Sequence, residues 1–134
     1  YISILKSRKA DTVLTPHFGE FKKIFKISDN KIIDTKLAAI KTNSTVLFKG
    51  NDTVISDKIG QTYINYFSSP HLATAGSGDV LAGIIASLIA QNYKSLDATI
   101  IGCYLHSQCA IKIDKPLTAK DIIDILPDVL KKYY

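Results

Sequence analysis

The spacing of hydrophobic residues changes once along this 134-residue chain, and that change limits the possible folds more than any other feature. Up to about residue 65, short runs rich in β-branched residues predict strands, and the last two runs form a predicted hairpin. Beyond residue 79 the apolar residues recur at helical spacing. Strands first and helices last, with mixed connections, indicate a layered α/β fold in which helices pack on a sheet.

The same patterns give approximate bounds for each element. Strands are expected at residues 12–15, 45–49, 53–56 and 61–65. Helices are expected at residues 20–26, 30–41, 79–91, 95–113 and 118–134. In the second helix Ile33, Leu37 and Ile40 share one apolar face, and the helix at 79–91 is expected to be largely buried. Thr118 and Asp121 have the spacing of a capping box.

Composition excludes several classes of protein. Hydrophobic residues make up 46% and charged residues 22% of the chain, which is ordinary for a soluble globular protein and unlike a disordered, collagen-like or coiled-coil chain. The longest uncharged apolar run, residues 80–90, is about half of a membrane span, so no membrane association is expected. A chain that starts at Tyr1 and contains no Met is expected to be processed, truncated or a fragment. No leader pattern opens it, and the expected location is the cytoplasm.

The charged residues argue against a nucleic-acid partner. Lys and Arg number 17 against 12 acidic residues, giving a net charge of +5, but Arg8 is the single arginine. Proteins that read nucleic acids rely on Arg for bidentate contacts to guanine and phosphate. Most of the lysines are therefore interpreted as solvated surface residues, with attraction of an anionic ligand as the alternative.

Cysteine and histidine positions do not indicate a metal site. Cys103 and Cys109 are six residues apart in a predicted helix, which points them in directions too different for a disulfide or a shared metal. They are expected to be buried thiols in a reducing compartment. His17, His71 and His106 lack metal-ligand spacing, and His106 is expected to be a hydrogen-bonded core histidine.

The most informative stretch for chemistry is residues 73–79, immediately before the apolar helix at 79–91. Gly76 and Gly78 allow close backbone approach, and the first amides of a helix have no internal partner. The amides of Ser77, Gly78 and Asp79 are therefore expected to form an anion site, since the helix dipole is positive there. Asp79 could accept a proton from a hydroxyl that attacks a phosphoryl group. The alternative is that Asp79 caps its helix and the glycines form a tight turn.

Two further stretches could contribute to such a site. Glu20, the only glutamate, follows His17 after a predicted strand, and a carboxylate there could hold a hydrated Mg²⁺. His17 could hydrogen-bond a polar substrate; the alternative is that these residues only start a helix. Lys49 ends another strand and could neutralise a phosphate, with the turn amides after it cradling the group. The alternative is an ordinary β-turn.

Taken together and in order, these stretches resemble the NAD(P)HX dehydratase family. The stretches are residues 13–20 (VLTPHFGE), 46–53 (VLFKGNDT), 72–83 (LATAGSGDVLAG) and 102–106 (GCYLH). The resemblance implies a ribokinase-like layered α/β fold, of which residues 1–134 would form the C-terminal part, with part of the central sheet and its flanking helices. The chain departs from the family pattern at Phe18, where Pro is usual, and at 68–71, where Ser-Ser-Pro-His replaces a Gly-Asn-Pro-Gly run.

The resemblance also implies an activity and a role for each site residue. Members repair hydrated NADH and NADPH with ADP or ATP: the nucleotide phosphorylates the ring hydroxyl, and phosphate then leaves. Asp79 matches the catalytic base and a substrate contact, His17 matches a substrate contact, and Glu20 matches the acidic position associated with Mg²⁺. The adenine nucleotide would contact Lys49, Gly50, Asn51, Asp52, Thr53 and Gly78. The anion hole would consist of Ala75, Gly76, Ser77 and Gly78.

Two other functions stay open beside this one. The first is a ribokinase-like kinase acting on a small alcohol such as a vitamin precursor, and the second is an inactive remnant that still binds a nucleotide. The expected partners of the dehydratase are adenine nucleotide, hydrated NAD(P)H and an NAD(P)HX epimerase. A half-domain exposes a sheet edge and an apolar face, which predicts a homo-oligomer, a separate N-terminal half or poor solubility.

Overall fold

Alternate residues of the second strand pack against different helices, which places a sheet between two helical layers. The computed structural model describes residues 1–133. Val46 and Phe48 pack with the helices at Phe18–Ile24 and Lys31–Thr42, whereas Leu47 packs with Leu81 and Ile85 of a later helix. Because neighbouring side chains of a strand point to opposite faces, the two clusters lie on the two faces of the sheet. The layered α/β fold expected from the sequence is confirmed.

Across residues 1–133, the sheet has four strands, and they lie side by side in the order of the chain. They are β1 (Val13–Leu14), β2 (Thr45–Phe48), β3 (Thr53–Ser56) and β4 (Thr62–Asn65). Strands β1 and β2 are parallel, and the pairs β2–β3 and β3–β4 are antiparallel. All four predicted strands are present, and the hairpin of β3 and β4 is confirmed. Strands β1 and β4 form the two edges of the sheet.

The helices carry most of the remaining chain. They are α1 (Ile2–Ser7), α2 (Phe18–Ile24), α3 (Lys31–Thr42), α4 (Ser77–Ala90), α5 (Ser95–Ile113) and α6 (Ala119–Leu130). Helix α5 has the predicted bounds, and α1 was not predicted. Helix α6 begins with the predicted capping box, in which Thr118 and Asp121 bond each other's backbone N–H. It ends at Leu130 rather than continuing, and Tyr134 lies outside the described residues. Within residues 1–133, every helix is too short or too polar to span a lipid bilayer.

The apolar face predicted for α3 is exposed rather than packed. Ile33, Leu37 and Ile40 remain 51%, 59% and 44% exposed. The face against the sheet consists instead of small residues and one acid, namely Asp34, Thr35, Ala38, Ala39 and Thr42. Small side chains let the helix approach the bulky residues of the sheet, and the polar groups are satisfied locally. Both threonine hydroxyls bond carbonyls one turn earlier, and the Asp34 carboxylate accepts two bonds from Ser28.

Helix α4 is buried along one side only, which corrects the expectation of a largely buried helix. Leu81, Ile84 and Ile85 are buried against the neighbouring helices α5 and α6 or the sheet, whereas Gly83 and Ile89 are exposed. Apolar residues occur all around this helix, so its apolar stripe is wide. The sequence pattern therefore identifies a helix here but does not mark which of its residues meet the core.

The two cysteines are free and buried, as expected. Burial in apolar surroundings raises the pKa of Cys103 to about 12 and that of Cys109 to about 11. Both groups therefore remain neutral thiols at physiological pH, because the thiolate is disfavoured away from water. They contribute to packing on α5 and not to a reactive centre.

Candidate active site

The predicted site residues meet in one cleft beyond the carboxyl ends of β1 and β2. The cleft has a volume of about 930 Å³. It is bounded by the segment after β1, the turn after β2, the segment before α4 and the first turn of α4. The predicted residues that line it are His17, Glu20, Lys49, Gly50, Asn51, Thr53, Ala75, Gly76, Ser77, Gly78 and Asp79. Asp52 is the one predicted residue that does not line the cleft. Ligands of open α/β sheets bind in this position, outside the carboxyl ends of the strands.

The segment after β1 forms a capped helix start. His17 is the N-cap of α2: its Nδ1 accepts from the Glu20 N–H at 3.2 Å, and the Glu20 Oε2 accepts from the His17 N–H at 2.8 Å. The hydrogen bond from the His17 backbone lowers the pKa of Glu20, and the nearby Lys49 ammonium lowers it further. His17 and Glu20 therefore do start and cap a helix, which was the alternative to a role in ligand binding. Both side chains still face the cleft, so capping and ligand contact are compatible.

Lys49 connects the turn after β2 with the segment before α4. Its backbone N–H donates to the Pro16 carbonyl at 2.9 Å, which ties the end of β2 to the end of β1. Its ammonium lies against Gly78, where an added Cβ would be 2.9 Å from Nζ. A glycine at position 78 thus leaves room for a cation directly over the first turn of α4. The arrangement places one full positive charge beside the partial positive charge of a helix N-terminus.

The turn after β2 is held by its own threonine and by a lysine from α3. The Thr53 hydroxyl donates to the Gly50 carbonyl at 3.0 Å and accepts from the Gly50 N–H at 3.3 Å. Lys31 donates to the Asp52 carboxylate at 2.9 Å, and this bond lowers the pKa of Asp52. The Asp52 carboxylate is therefore occupied by Lys31 and turned away from the cleft. A carboxylate so placed holds the turn, and its charge is offset by the Lys31 ammonium.

The backbone before α4 presents fewer unpaired amides than the sequence predicts. Gly76 is the N-cap, with a left-handed φ of +82° that a residue with a Cβ adopts at a cost. The N–H of Ser77 donates to the Thr74 carbonyl at 3.3 Å and that of Asp79 to the Gly76 carbonyl at 3.1 Å. The expectation that both point freely outward is wrong, because the helix opens with tight turns that use them. Within the described chain, the amides of Ala75, Gly76 and Gly78 have no protein partner.

Asp79 does not cap its helix. It is the third residue of α4, the same position that Glu20 holds in α2 and Asp121 in α6, and those two acids both accept from their N-cap backbone. In the part of the chain that the structure describes, the Asp79 carboxylate makes neither a cap nor an ion pair. It is exposed and lines the cleft. The structure therefore contradicts the alternative in which Asp79 only caps α4.

His106 supports the first turn of α4 from below. It is 6% exposed, and its Nε2 lies 3.0 Å from the Ser77 carbonyl oxygen, so the ring donates from Nε2. Burial lowers the pKa of His106. The hydrogen bond to Ser77 raises that pKa by a smaller amount, and the nearby Lys49 ammonium lowers it. The Ser77 hydroxyl in turn donates to the Leu72 carbonyl at 2.6 Å. Ser77 is thus fixed at both its carbonyl and its side chain, as expected of a satisfied core histidine and its partner.

The segment at 68–71 also borders the cleft. Ser68, Ser69 and Pro70 line it, and a short 3₁₀ turn covers Pro70–Leu72. The Ser69 hydroxyl accepts from the His71 N–H at 3.3 Å and starts this turn. Ser69 therefore caps this turn at the position where the family pattern has Asn, another good N-cap residue, and Ser68 and His71 stand in place of glycines.

The carboxylates of the cleft suit a magnesium ion that is bound mainly through phosphates. Among residues 1–133, no three His, Cys, Asp or Glu side chains converge on a possible metal position. Mg²⁺ typically keeps several waters and uses one or two carboxylates together with the phosphates of a nucleotide. Glu20 and Asp79 line the cleft with exposed carboxylates, so the side chains present fit that mode of binding.

Comparison with protein families places almost the whole chain in one of them. Residues 2–131 match the family model described as NAD(P)H-hydrate dehydratase. A bifunctional NAD(P)H-hydrate repair enzyme of Moorella thermoacetica is 38% identical over an alignment 138 positions long. The alignment covers 96% of this chain and 26% of that protein.

Solved structures share the fold. The ADP/ATP-dependent NAD(P)H-hydrate dehydratase of Bacillus subtilis, co-crystallised with ATP and Mg²⁺, matches with a TM-score of 0.88 and 30% identity over 96% of this chain and 50% of that one. A ribokinase-like superfamily protein of Enterococcus faecalis matches with a TM-score of 0.78 and 30% identity, over 98% of this chain and 50% of that one. The ribokinase-like fold is confirmed. The chain spans about a quarter of the length of the curated relative and half of each solved structure.

Proposed function

The chain belongs to the NAD(P)H-hydrate dehydratase family, and from this membership we propose that it takes part in the ADP- or ATP-dependent conversion of hydrated NADH and NADPH to NADH and NADPH. The observation that carries the proposal is the contact between the Lys49 ammonium and Gly78. It joins the proposed nucleotide turn at 49–53 to the proposed anion hole at 75–78. A phosphoryl group bound between them would meet a cation and unpaired amides together.

The first step of the proposed reaction is phosphoryl transfer. The hydroxyl oxygen of the hydrated nicotinamide ring attacks the terminal phosphorus of the nucleotide, and its proton moves to the Asp79 carboxylate. A new P–O bond forms as the bond to the leaving nucleotide, AMP from ADP or ADP from ATP, breaks. Lys49 and the amides of Ala75, Gly76 and Gly78 stabilise the charge on the transferred group. His17 also lines the cleft and is proposed to hold the hydrated dinucleotide through Nε2.

The second step is elimination. The C–O bond to the phosphorylated ring carbon breaks, phosphate leaves with the bonding electrons, and the neighbouring ring carbon releases a proton to water, which restores the double bond. A bound Mg²⁺ would offset negative charge on the nucleotide phosphates, and Glu20 is the carboxylate proposed to hold it indirectly. This use of Mg²⁺ is supported by the Bacillus subtilis dehydratase, which was crystallised with ATP and Mg²⁺.

The proposal extends to the setting in which the chain works. Residues 1–134 are proposed to be the C-terminal part of a dehydratase domain, acting together with the N-terminal part of that domain or as a homo-oligomer. A functional pairing with an NAD(P)HX epimerase is proposed because the matched relative is named a bifunctional repair enzyme. The two free buried thiols are consistent with the proposed cytoplasmic location, where cysteines stay reduced.

Replacing the proposed base tests the function directly. Purified chain is mixed with hydrated NADH, Mg²⁺ and either ADP or ATP, and the absorbance of the reduced nicotinamide is followed. We expect recovery of NADH by the wild-type chain and a fall in rate of about a hundredfold or more for Asp79→Asn, because an amide cannot accept the proton. Asp97→Asn is the matched control, since Asp97 is an exposed acid in the first turn of α5 outside the cleft.

The other outcomes distinguish the alternatives. Absence of repair together with a nucleotide-dependent rise in melting temperature would identify a nucleotide-binding remnant. Phosphorylation of a vitamin-precursor alcohol without repair would identify a small-alcohol kinase. Equal activity of Asp79→Asn and wild type would contradict the assignment of Asp79 as the base.

A further inference from the structure

The Lys31 ammonium forms hydrogen bonds with both ends of the turn after β2. Its ammonium donates to the Asp52 carbonyl at 2.8 Å, to the Asp52 carboxylate at 2.9 Å and to the Lys49 carbonyl at 3.4 Å. It also lies 4.7 Å from the centre of the Phe48 ring, within cation–π distance. An ammonium has three N–H donors, so these three acceptors use all of them.

The turn is shaped around this ammonium. A Cβ added to Gly50 would lie 2.5 Å from the Lys31 Nζ, so any larger residue at this position would displace the ammonium from its three acceptors. The three acceptors belong to the first and last residues of the segment 49–52. A single ammonium therefore joins the two ends of the segment. It belongs to Lys31, the first residue of the neighbouring helix α3.

Lys31 acts on the cleft from outside it. Its side chain is 21% exposed and does not line the cleft, and neither does that of Asp52. The residue in direct contact with the cleft is Lys49, whose carbonyl Lys31 binds and whose ammonium lies against Gly78. The link from Lys31 to the anion hole thus runs through the backbone of Lys49.

We propose that Lys31 is a positioning residue for the adenine nucleotide, which fixes the loop 49–52 so that the Lys49 ammonium stays against Gly78. The inference deepens the proposed function and rests on it. It separates two roles among the lysines: Lys49 meets the phosphates, and Lys31 holds Lys49 in place. Neutralising Lys31 is expected to raise the dissociation constant of the nucleotide without changing the affinity for the dinucleotide.

Three variants of the full chain separate positioning from charge. Lys31→Met removes the three bonds and one positive charge, whereas Lys41→Met removes the same charge from an exposed position on the same helix. Asp52→Ala removes a negative charge near the nucleotide and also one of the bonds that hold the loop. Titration calorimetry with ATP and Mg²⁺ measures binding, and steady-state rates give separate KM values for ATP and hydrated NADH.

We expect Lys31→Met to weaken ATP binding about tenfold, because a Lys49 ammonium that is no longer held in place loses part of a charge-assisted contact to the phosphates. Its KM for hydrated NADH should stay at the wild-type value, and Lys41→Met should bind ATP as wild type does. Asp52→Ala should weaken ATP binding as well. Simple electrostatics predicts the opposite sign for Asp52→Ala, since that change removes repulsion from a phosphate site, so this variant decides between the two explanations.

The outcomes that overturn the inference are distinct from those that overturn the function. Equal ATP binding by Lys31→Met and Lys41→Met, or tighter binding by Asp52→Ala, contradicts a positioning role. If Lys31→Met fails to fold, the sign of the Asp52→Ala effect still gives the answer. A wild-type chain that binds ATP in a Lys31-dependent way but repairs no hydrate leaves the inference intact and refutes the proposed function. A wild-type chain that binds neither ATP nor ADP in the same titration refutes both.

Discussion

Single residues in equivalent positions do different things in this molecule. Glu20, Asp79 and Asp121 are each the third residue of a helix, and only Asp79 leaves its N-cap backbone unbonded. The difference lies at the N-cap: His17 and Thr118 complete a reciprocal pair with side-chain acceptors, whereas Gly76 has no side chain. A carboxylate released from capping is available for proton transfer, which is why the proposed mechanism assigns that step to Asp79.

The sequence predicts which residues share the cleft better than it predicts what holds them. The three motifs were placed together through their resemblance to a family, and the structure brings all but Asp52 to the cleft wall. Lys31 was not identified as a site residue, because its partner Asp52 is 21 positions away and nothing local marks it. The partner of His106 is 29 positions away. Contacts of this kind depend on how helices sit against the sheet, which periodicity does not give.

His106 provides a test of the support below α4. Burial lowers its pKa below the ordinary value of 6.5, so the unfolded chain takes up a proton at a higher pH than the folded chain does. The contribution of the neutral His106 to the free energy of unfolding should therefore be fully present above pH 6.5. It should decrease as the pH falls below that value. Urea denaturation at pH 7.5 and pH 5.5 measures this loss. His106→Gln, which can still donate to Ser77 but does not titrate, should lose less stability between the two pH values.

A second variant separates the hydrogen bond from the titration. His106→Leu leaves the Ser77 carbonyl without its donor and should cost about 1 to 3 kcal/mol at pH 7.5, where the wild-type ring is neutral. If the leucine and glutamine variants are equally stable at that pH, the bond to Ser77 does not contribute. The carboxylates with lowered pKa values lose their stabilising contribution only at more acidic pH, so they do not interfere.

At the scale of elements, the type of every helix and strand except α1 follows from the sequence, but the packed face does not. Helix α3 has two candidate faces, an aliphatic one with Leu37 and a small one with Ala38 and Ala39. Periodicity favours the aliphatic face, whereas the short distance to a sheet with Phe48 and Val46 favours the small one. The second effect decides, because a close-packed interface requires complementary volumes.

Close packing of α4 against α5 depends on Gly102. A Cβ at this position would lie 2.7 Å from the Ile85 Cγ1 and 3.4 Å from the Ile85 backbone nitrogen. Because Ile85 is 2% exposed and cannot move aside, Gly102→Ala should lower the free energy of unfolding by about 1 to 3 kcal/mol. Urea denaturation measures the change.

Gly83→Ala is the matched control on the partner helix. No atom lies within 4 Å of a Cβ added there, so the substitution should stabilise α4 by up to about 1 kcal/mol through helix propensity. Equal effects of the two substitutions would contradict close contact at Gly102. A loss of nucleotide binding in Gly102→Ala alone would indicate that the position of α4 controls the anion hole.

At the scale of the whole molecule, apolar surface also lies outside the cleft. Ile33, Leu37 and Ile40 form an exposed stripe on α3. On the other layer, a second cavity of about 650 Å³ is lined mainly by apolar and aromatic side chains, among them Phe67, Tyr104 and Tyr133. Contiguous exposed apolar surface favours association between molecules. The self-association predicted from the sequence remains a prediction, and the α3 stripe now gives it a location.

Charge placed in the α3 stripe tests that location. We expect the wild-type chain to sediment as larger species with increasing concentration, and Leu37→Lys to shift the distribution towards the monomer because the ammonium must be desolvated in any interface through α3. Ile123→Lys is the matched control, since Ile123 on α6 is 55% exposed and lies away from the stripe. Identical sedimentation of both variants and wild type would exclude α3 as the associating surface.

The position of β1 has a consequence for how the reaction chamber could be enlarged. Val13–Leu14 bonds β2 along one side, and its other side is free of strand partners in the described sheet. Any strand that joined there in the parallel sense would finish at the same end as β1 and β2. The loop after it would then open beside His17, so lateral growth of the sheet adds new wall to the chamber while Lys49 and Asp79 keep their places.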